Sequence, residues 1–136
     1  MESSFKAKGM NVHYLGKLDK NLYSCVTTDI QTDDVIITED RIKHIKERHP
    51  QDYENFFQYV HEMIQCPDYI LEGNKPHTAI VFKHITDAGR NYQLVLKLKT
   101  SVDSEKYKNS VITFFKVKDK EWKRCIKNKK ILYKSE

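Results

Sequence analysis

The sequence predicts an α+β fold: two early helices packed on an antiparallel sheet of about four strands, with a basic helix near the C-terminal end. Three observations predict it. Tyr53, Phe56, Phe57, Val60 and Ile64 follow one another at helical spacing and form one apolar stripe. Downstream, β-branched and aromatic runs are separated by turn-forming and polar residues, and in one of them Leu94, Leu96 and Leu98 alternate with Gln93, Val95, Lys97 and Lys99. Finally, 136 residues with 39% apolar and 32% charged content suit one domain with a core, while only 4 Gly and 3 Pro exclude a collagen-like or low-complexity chain.

Taken in order, residues 1–8 are polar and read as a loose opening. Residues 11–16 and 22–27 read as strands around the turn-like stretch 17–21, a hairpin within an N-terminal extension over 1–34. A core over 35–117 follows. Val35, Ile36 and Ile37 lead into Thr38, which suits a helix N-cap, with Glu39 and Asp40 in the first turn. That helix should end at Arg48, because His49 precedes Pro50 and a residue before proline is pushed out of the helical region. The second helix carries the aromatic stripe and stops near Cys66-Pro67.

Residues 68–71 form a short strand and 73–76 a turn; 78–85 and 92–100 form a hairpin around Thr86-Asp87-Ala88-Gly89-Arg90. Residues 101–109 read as a polar loop and 110–117 as another strand. The basic segment over 118–136 holds a helix at 118–129, with Trp122, Cys125 and Ile126 on its apolar side, and a last short strand at 131–133.

The charge is uneven. There are 24 Lys and Arg against 19 Asp and Glu, yet residues 1–115 are nearly balanced and the excess lies in residues 116–136. Such a cluster attracts a polyanion or simply solvates the chain end. No apolar run approaches a membrane span and no charged-then-apolar leader opens the sequence, so a soluble, cytoplasmic protein with no membrane partner is expected. Cys25, Cys66 and Cys125 are widely spaced, with no Cys-x-x-Cys pair, and read as small buried hydrophobes rather than a disulfide framework.

Chemistry concentrates in Arg41-Ile42-Lys43-His44-Ile45-Lys46-Glu47-Arg48-His49-Pro50. At 100° per residue Arg41, His44 and Arg48 share one helix face, beside the face of Ile42 and Ile45. Two guanidiniums around an imidazole suit a phosphodiester, which arginine binds in bidentate fashion while the imidazole moves a proton. His44 reads equally as a surface histidine, and His49 either turns toward the same cleft or is held as a structural residue at the helix end.

Lys97 and Lys99 share one strand face and could meet an anion or only solvent. Simple alternation puts Ser110 and Thr113 on opposite faces of the next strand, with Val111 and Phe115 beside Thr113. Trp122 either stacks on a nucleobase or packs with Cys125 and Ile126, while Lys123 and Lys127 offer backbone contacts from the same helix. His44 and His49 are five residues apart, His61-Glu62 lacks a second histidine at the helical offset, and His77 and His84 lie at opposite ends of one strand. The sequence therefore predicts no metal and no cofactor, and it carries no serine or cysteine nucleophile motif, P-loop or dinucleotide fingerprint.

The order Ile-Ile-Thr-Glu-Asp-Arg-Ile-Lys-His-Ile-Lys-Glu-Arg-His-Pro over 36–50 is followed by a Pro-Asp-Tyr-Ile-Leu strand, then Leu-Val-Leu-Lys at 94–97 and Val-Ile-Thr-Phe-Phe at 111–115. This succession resembles the phage and mobile-element nuclease-like domains grouped with barnase, EndoU, colicin RNases and RelE, the BECR fold or PBECR proteins. It covers about residues 35–117, and His-Ile-x-x-x-His-Pro is its most distinctive part. The resemblance implies a curved antiparallel sheet and metal-independent RNA cleavage, in which the 2′-hydroxyl of the substrate is the nucleophile.

On that resemblance His44 would be base or acid and His49 its partner or orienter. Arg48 and Lys97 would bind phosphate oxygens, and Thr113 would donate a hydrogen bond to the scissile phosphate. Lys99 would replace Lys97 if the strand register differs. The residue patterns themselves, apart from the resemblance, add Arg41, Ser110, Trp122, Lys123 and Lys127 to the expected substrate-binding set. The function implied is an endoribonuclease, with tRNA among its candidate substrates, acting as a toxin or mobile-element effector beside a cognate immunity or antitoxin protein. A non-catalytic RNA- or protein-binding domain of the same fold is the alternative, and a structural phage protein a third.

Overall fold

A computed structural model of the chain describes residues 5–7 and 10–136, with side chains described from residue 11 onward. The expectation of a loose opening over 1–8 falls largely outside the described residues, of which Phe5–Ala7 form strand β1. The elements that follow are β2 (Met10–Lys17), α1 (Lys20–Tyr23), β3 (Asp34–Thr38), α2 (Glu39–Arg48), α3 (Pro50–Gln65), β4 (Tyr69–Glu72), β5 (Thr78–Ile85), β6 (Arg90–Lys97), β7 (Asn109–Val117), α4 (Asp119–Asn128) and β8 (Ile131–Lys134). The class is α+β, as the sequence predicts, but about four strands is too few. One eight-stranded sheet runs in the order β1-β2-β3-β7-β6-β5-β4-β8. It is mixed rather than antiparallel, because β3 and β7 pair in parallel through Val35 with Asn109 and Ile36 with Ser110.

The expected N-terminal hairpin is also corrected. The stretch 22–27 is no strand: Asp19 accepts hydrogen bonds from the backbone of Asn21 and Leu22 and caps the single turn of α1. β2 instead pairs with β3, and the bulge between Tyr14 and Gly16 is accommodated by Gly16 at φ +111°.

The helices obey their local signals. Thr38 Oγ1 accepts from the Arg41 N–H at 3.3 Å and starts α2, and His49 ends it ahead of Pro50, the first residue of α3. Both helices lie on one face of the sheet. Ile42 and Ile45 from α2 and Phe56, Tyr59, Val60, Met63 and Ile64 from α3 are buried against Val35, Ile37, Tyr92, Leu94, Leu96, Val111 and Phe114. Phe57, expected in the stripe, is 46% exposed and only meets the edges of neighbouring rings, among them Tyr53 and His13.

The second face of the sheet is only partly covered. α4 lies across Leu71 of β4, Ile80 and Phe82 of β5 and Val95 of β6, using Trp122, Cys125 and Ile126. This explains why β5 reads as a nearly unbroken apolar run: it is covered on both sides, whereas β6 alternates. The same face over β6, β7, β3 and β2 carries the two cavities described below. Next to it, the turn after β4 is closed by Gly73, whose N–H donates to the Thr78 carbonyl at 3.1 Å. A Cβ at Gly73 would stand 2.8 Å from that carbonyl oxygen. Gly73→Ala is therefore expected to destabilise the fold by about 1–3 kcal/mol through forced backbone movement, as read from urea denaturation.

Candidate active site

Cross-strand partners point to the same side of a sheet. In the β6–β7 pair Lys97 faces Ser110 and Val95 faces Thr113, with a bulge at Ile112 between Val111 and Thr113. The extra residue turns Thr113 onto the face of Ser110. The sequence-based expectation of opposite faces is corrected for that reason: strict alternation fails at a bulge. Val111 instead joins the core beneath α2 and α3, while Phe115 stays with Thr113.

The larger cavity, about 770 Å³, opens on this face. Gln93, Val95 and Lys97 of β6 and Ile112 and Phe115 of β7 form its floor, Arg41 of α2 one wall, and Glu121, Arg124, Cys125 and Asn128 of α4 another. The α4 residues recur at i, i+3, i+4 and i+7, so one helical face is turned to the cavity. With Lys75 and Lys129, five cationic side chains line it against one carboxylate, Glu121, which is itself bound to Arg124. His49 stands at the edge, its ring stacked on Phe115 with centroids 4.7 Å apart. The imidazole nitrogens make no hydrogen bond among the described residues, while the His49 backbone is fixed by its N–H to Ile45 and its carbonyl to Asp52 and Tyr53.

The smaller cavity, about 270 Å³, is lined by Val12, Ile36, Thr38, Lys97, Lys99, Asp103, Lys106, Tyr107, Lys108 and Ser110. Lys97 belongs to both cavities. Its ammonium donates to the Leu98 carbonyl at 3.0 Å and pairs with Asp103 at 3.3 Å. Asp103 also accepts from the Thr100 N–H at 2.8 Å. The loop that supplies Asp103 is anchored by Asn109, fully buried, which accepts from the Lys99 N–H and donates to the carbonyls of Thr32 and Asp34.

The structure thus brings Arg41, Lys97, Lys99 and Ser110 into the cavities, sets His49 at their edge and places Thr113 on the same face. His44 and Arg48 line neither one. His44 sits on the helix face of Arg41, one turn farther along, half-buried and without a hydrogen bond, ion pair or ring contact among the described residues. Trp122 is no free stacking platform: Phe82 stacks on it at 4.7 Å and Tyr69 meets it edge-on. Lys123 and Lys127 are exposed and outside both cavities, because α4 turns Arg124 and Asn128 inward instead. Sequence reading missed Arg124, Lys129, Lys75, Gln93 and Phe115; the i, i+3, i+4 spacing of Glu121, Arg124 and Cys125 was the available signal. The cysteines depart from expectation as well: Cys66 is exposed, and Cys25 and Cys125 are half-buried, with burial pushing the Cys25 thiol up. Among the described residues no three His, Cys, Asp or Glu side chains gather as a metal site.

A family model described as phage-Barnase-EndoU-ColicinE5/D-RelE like nuclease2, PBECR2, matches residues 12–134. The chain belongs to the PBECR2 nuclease family. The match takes in every element from β3 to β8, α4 included, so it is wider than the 35–117 resemblance read from the sequence. No curated protein and no solved structure matches the chain. Membership of a nuclease family implies a nucleic-acid substrate for PBECR2, which agrees with the cationic lining of both cavities. Among the described residues no helix is long and apolar enough to cross a membrane.

Three carboxylates are held below the usual aspartate range, and one of them, Asp103, lines the smaller cavity. Asp103 is lowered by the Thr100 N–H and then by Lys97, Asp34 by Lys17 and then Lys108, and Asp29 by the hydroxyl and then the N–H of Ser101. A folded-state value below the unfolded one, about 3.9, contributes stability at neutral pH that is lost as pH falls through the lowered values. Urea midpoints should therefore hold steady down to about pH 5 and drop below about pH 4. Asp103→Asn should lose less stability on acidification than the parent chain; an unchanged acid dependence would contradict this assignment.

Proposed function

We propose that this PBECR2 domain is a metal-independent endoribonuclease that cuts RNA through the substrate 2′-hydroxyl. The observation that carries the reading is the larger cavity, where Arg41, Lys75, Lys97, Arg124 and Lys129 surround a floor edged by the His49–Phe115 stack. A phosphodiester set there would meet cations at its non-bridging oxygens and an imidazole at its flank.

In the proposed reaction a histidine takes the proton of the 2′-hydroxyl, the 2′-oxygen bonds to the adjacent phosphorus, and the bond from phosphorus to the 5′-oxygen breaks. An acid returns a proton to that 5′-oxygen, so the products end in a 2′,3′-cyclic phosphate and a 5′-hydroxyl. His49 is favoured over His44 as the group nearest the phosphate, because its ring touches the cavity wall and its nitrogens are unengaged. His44, beside Arg41, supplies the second proton-carrying group. Lys97 and Arg41 offset charge on the phosphorane, and Thr113 and Ser110 offer hydroxyl donors from the same face, with Arg48 a more distant phosphate contact.

An RNA-cutting domain of phage type suits a toxin or mobile-element effector, with tRNA a candidate target and an immunity or antitoxin protein a candidate partner. The test is to incubate purified protein with total RNA in excess EDTA and to identify the new ends. Cyclic phosphate and 5′-hydroxyl ends are expected; an absolute metal requirement would contradict the mechanism.

A further inference from the structure

Lys99 is only 8% exposed, yet its ammonium has no carboxylate or hydrogen-bond partner among the described residues. No buried side-chain nitrogen among the described residues lacks a partner, so the aliphatic stem of Lys99 is what is covered, while its unpaired ammonium reaches open space. The side chain lines the smaller cavity, whose floor is the apolar pair Val12 and Ile36 and whose rim carries Lys106 and the half-exposed ring of Tyr107. An apolar floor, an aromatic ring and an unneutralised cation together match a nucleobase with its phosphate better than either alone.

The sheet register shows how this cavity stands to the larger one. Thr78, Lys97, Ser110 and Ile36 are successive cross-strand partners on β5, β6, β7 and β3. Thr78 lines the larger cavity, Ser110 and Ile36 line the smaller, and Lys97 lines both. The two cavities are therefore neighbours along one row of the sheet, with a single ammonium between them.

We infer that they are adjacent nucleotide subsites for a single-stranded RNA, one nucleotide in each, with Lys97 at the phosphate that joins them, Lys99 at the next phosphate and Tyr107 stacked on the base in the smaller cavity. This rests on the ribonuclease reading and adds a substrate form to it. A duplex is excluded from such a row, because its bases are stacked and paired and cannot enter separate cavities.

The test uses an uncleavable, fluorescently labelled 2′-O-methyl RNA hexamer, titrated against the full chain by anisotropy, with its blunt duplex as comparison. Lys99→Met keeps the aliphatic stem and removes the charge; Tyr107→Ala removes the ring; Lys20→Met, in α1, is the control. Each of the first two is expected to raise Kd for the single strand about tenfold, within the range for losing a stacked base, with the control unchanged and the duplex bound more weakly. Parent-like affinity in both variants would overturn the second subsite while leaving the cleavage reading intact. Tighter binding of the duplex would do the same. If the parent chain binds no RNA even at low salt, the ribonuclease reading falls and this inference with it. Weakened binding in both variants of a chain that binds RNA without cutting it would uphold the subsite and overturn the catalytic reading alone.

Discussion

Replacing His49 with alanine is expected to lower RNA cleavage by about 10²–10⁴-fold, the range for losing a positioned acid or base. The alanine variant alone does not separate proton transfer from packing, because the ring also stacks on Phe115. His49→Phe separates them: it keeps an aromatic ring on Phe115 and removes both nitrogens. Equal losses in the two variants, read from single-turnover rates with circular dichroism as the folding control, would place the effect in the imidazole chemistry. Activity retained in His49→Phe would make the residue a packing group. Lys97→Met should cost about 10²–10³-fold, the usual loss when one charge-stabilising donor is removed from a phosphate-sized site. His44→Ala, one helical turn from the cavity, should cost less than His49→Ala.

Phe114→Ala should remove about 3–5 kcal/mol of folding stability, the cost of emptying a fully buried aromatic site. Phe114 is central to the ring cluster between sheet and helices: Tyr92 stacks on it with centroids 5.1 Å apart, and Phe56 of α3 meets it edge-on at 5.2 Å. Domains of this size are stable by only about 5–15 kcal/mol, so the variant should unfold at far lower urea. Phe57→Ala, one helix position away from Phe56 but exposed, should shift the midpoint little. Equal effects at the two positions would show that the stripe faces the sheet differently.

What could be read from sequence follows from the range of the forces involved. Both ends of α2 were legible because a Thr38 cap and a His49-Pro50 stop act within a few residues. The hairpin of β5 and β6 was legible for the same reason, its turn residues lying between two clear strand patterns. The parallel pairing of β3 with β7 joins residues more than seventy positions apart, and no local signal specifies it. The bulge at Ile112 reversed the facing of Thr113 because one unpaired residue resets a period of two.

The site divided along the same line. Arg41, Lys97 and Lys99 were legible as cations of helix and strand faces. The α4 contribution was not, since its lysine-rich composition drew attention to Lys123 and Lys127, whereas the packing of Trp122 on Phe82 rotates Arg124 toward the cavity. His44 looked central because it lies between two arginines in sequence. In the structure His44 lines neither cavity, whereas the chain reversal at Pro50 sets the His49 ring against Phe115.

The most direct measurement of the central claim uses an RNA oligonucleotide with one mapped cut site, compared with the same oligonucleotide carrying a single 2′-deoxy sugar on the 5′ side of that site. If the sheet-face cavity acts by internal attack, the deoxy substrate stays whole at that position while cleavage of the ribose form proceeds in EDTA. Cutting of both at similar rates would mean that water or a protein group attacks the phosphorus, and the account given above of His49, Lys97 and Arg41 would be wrong.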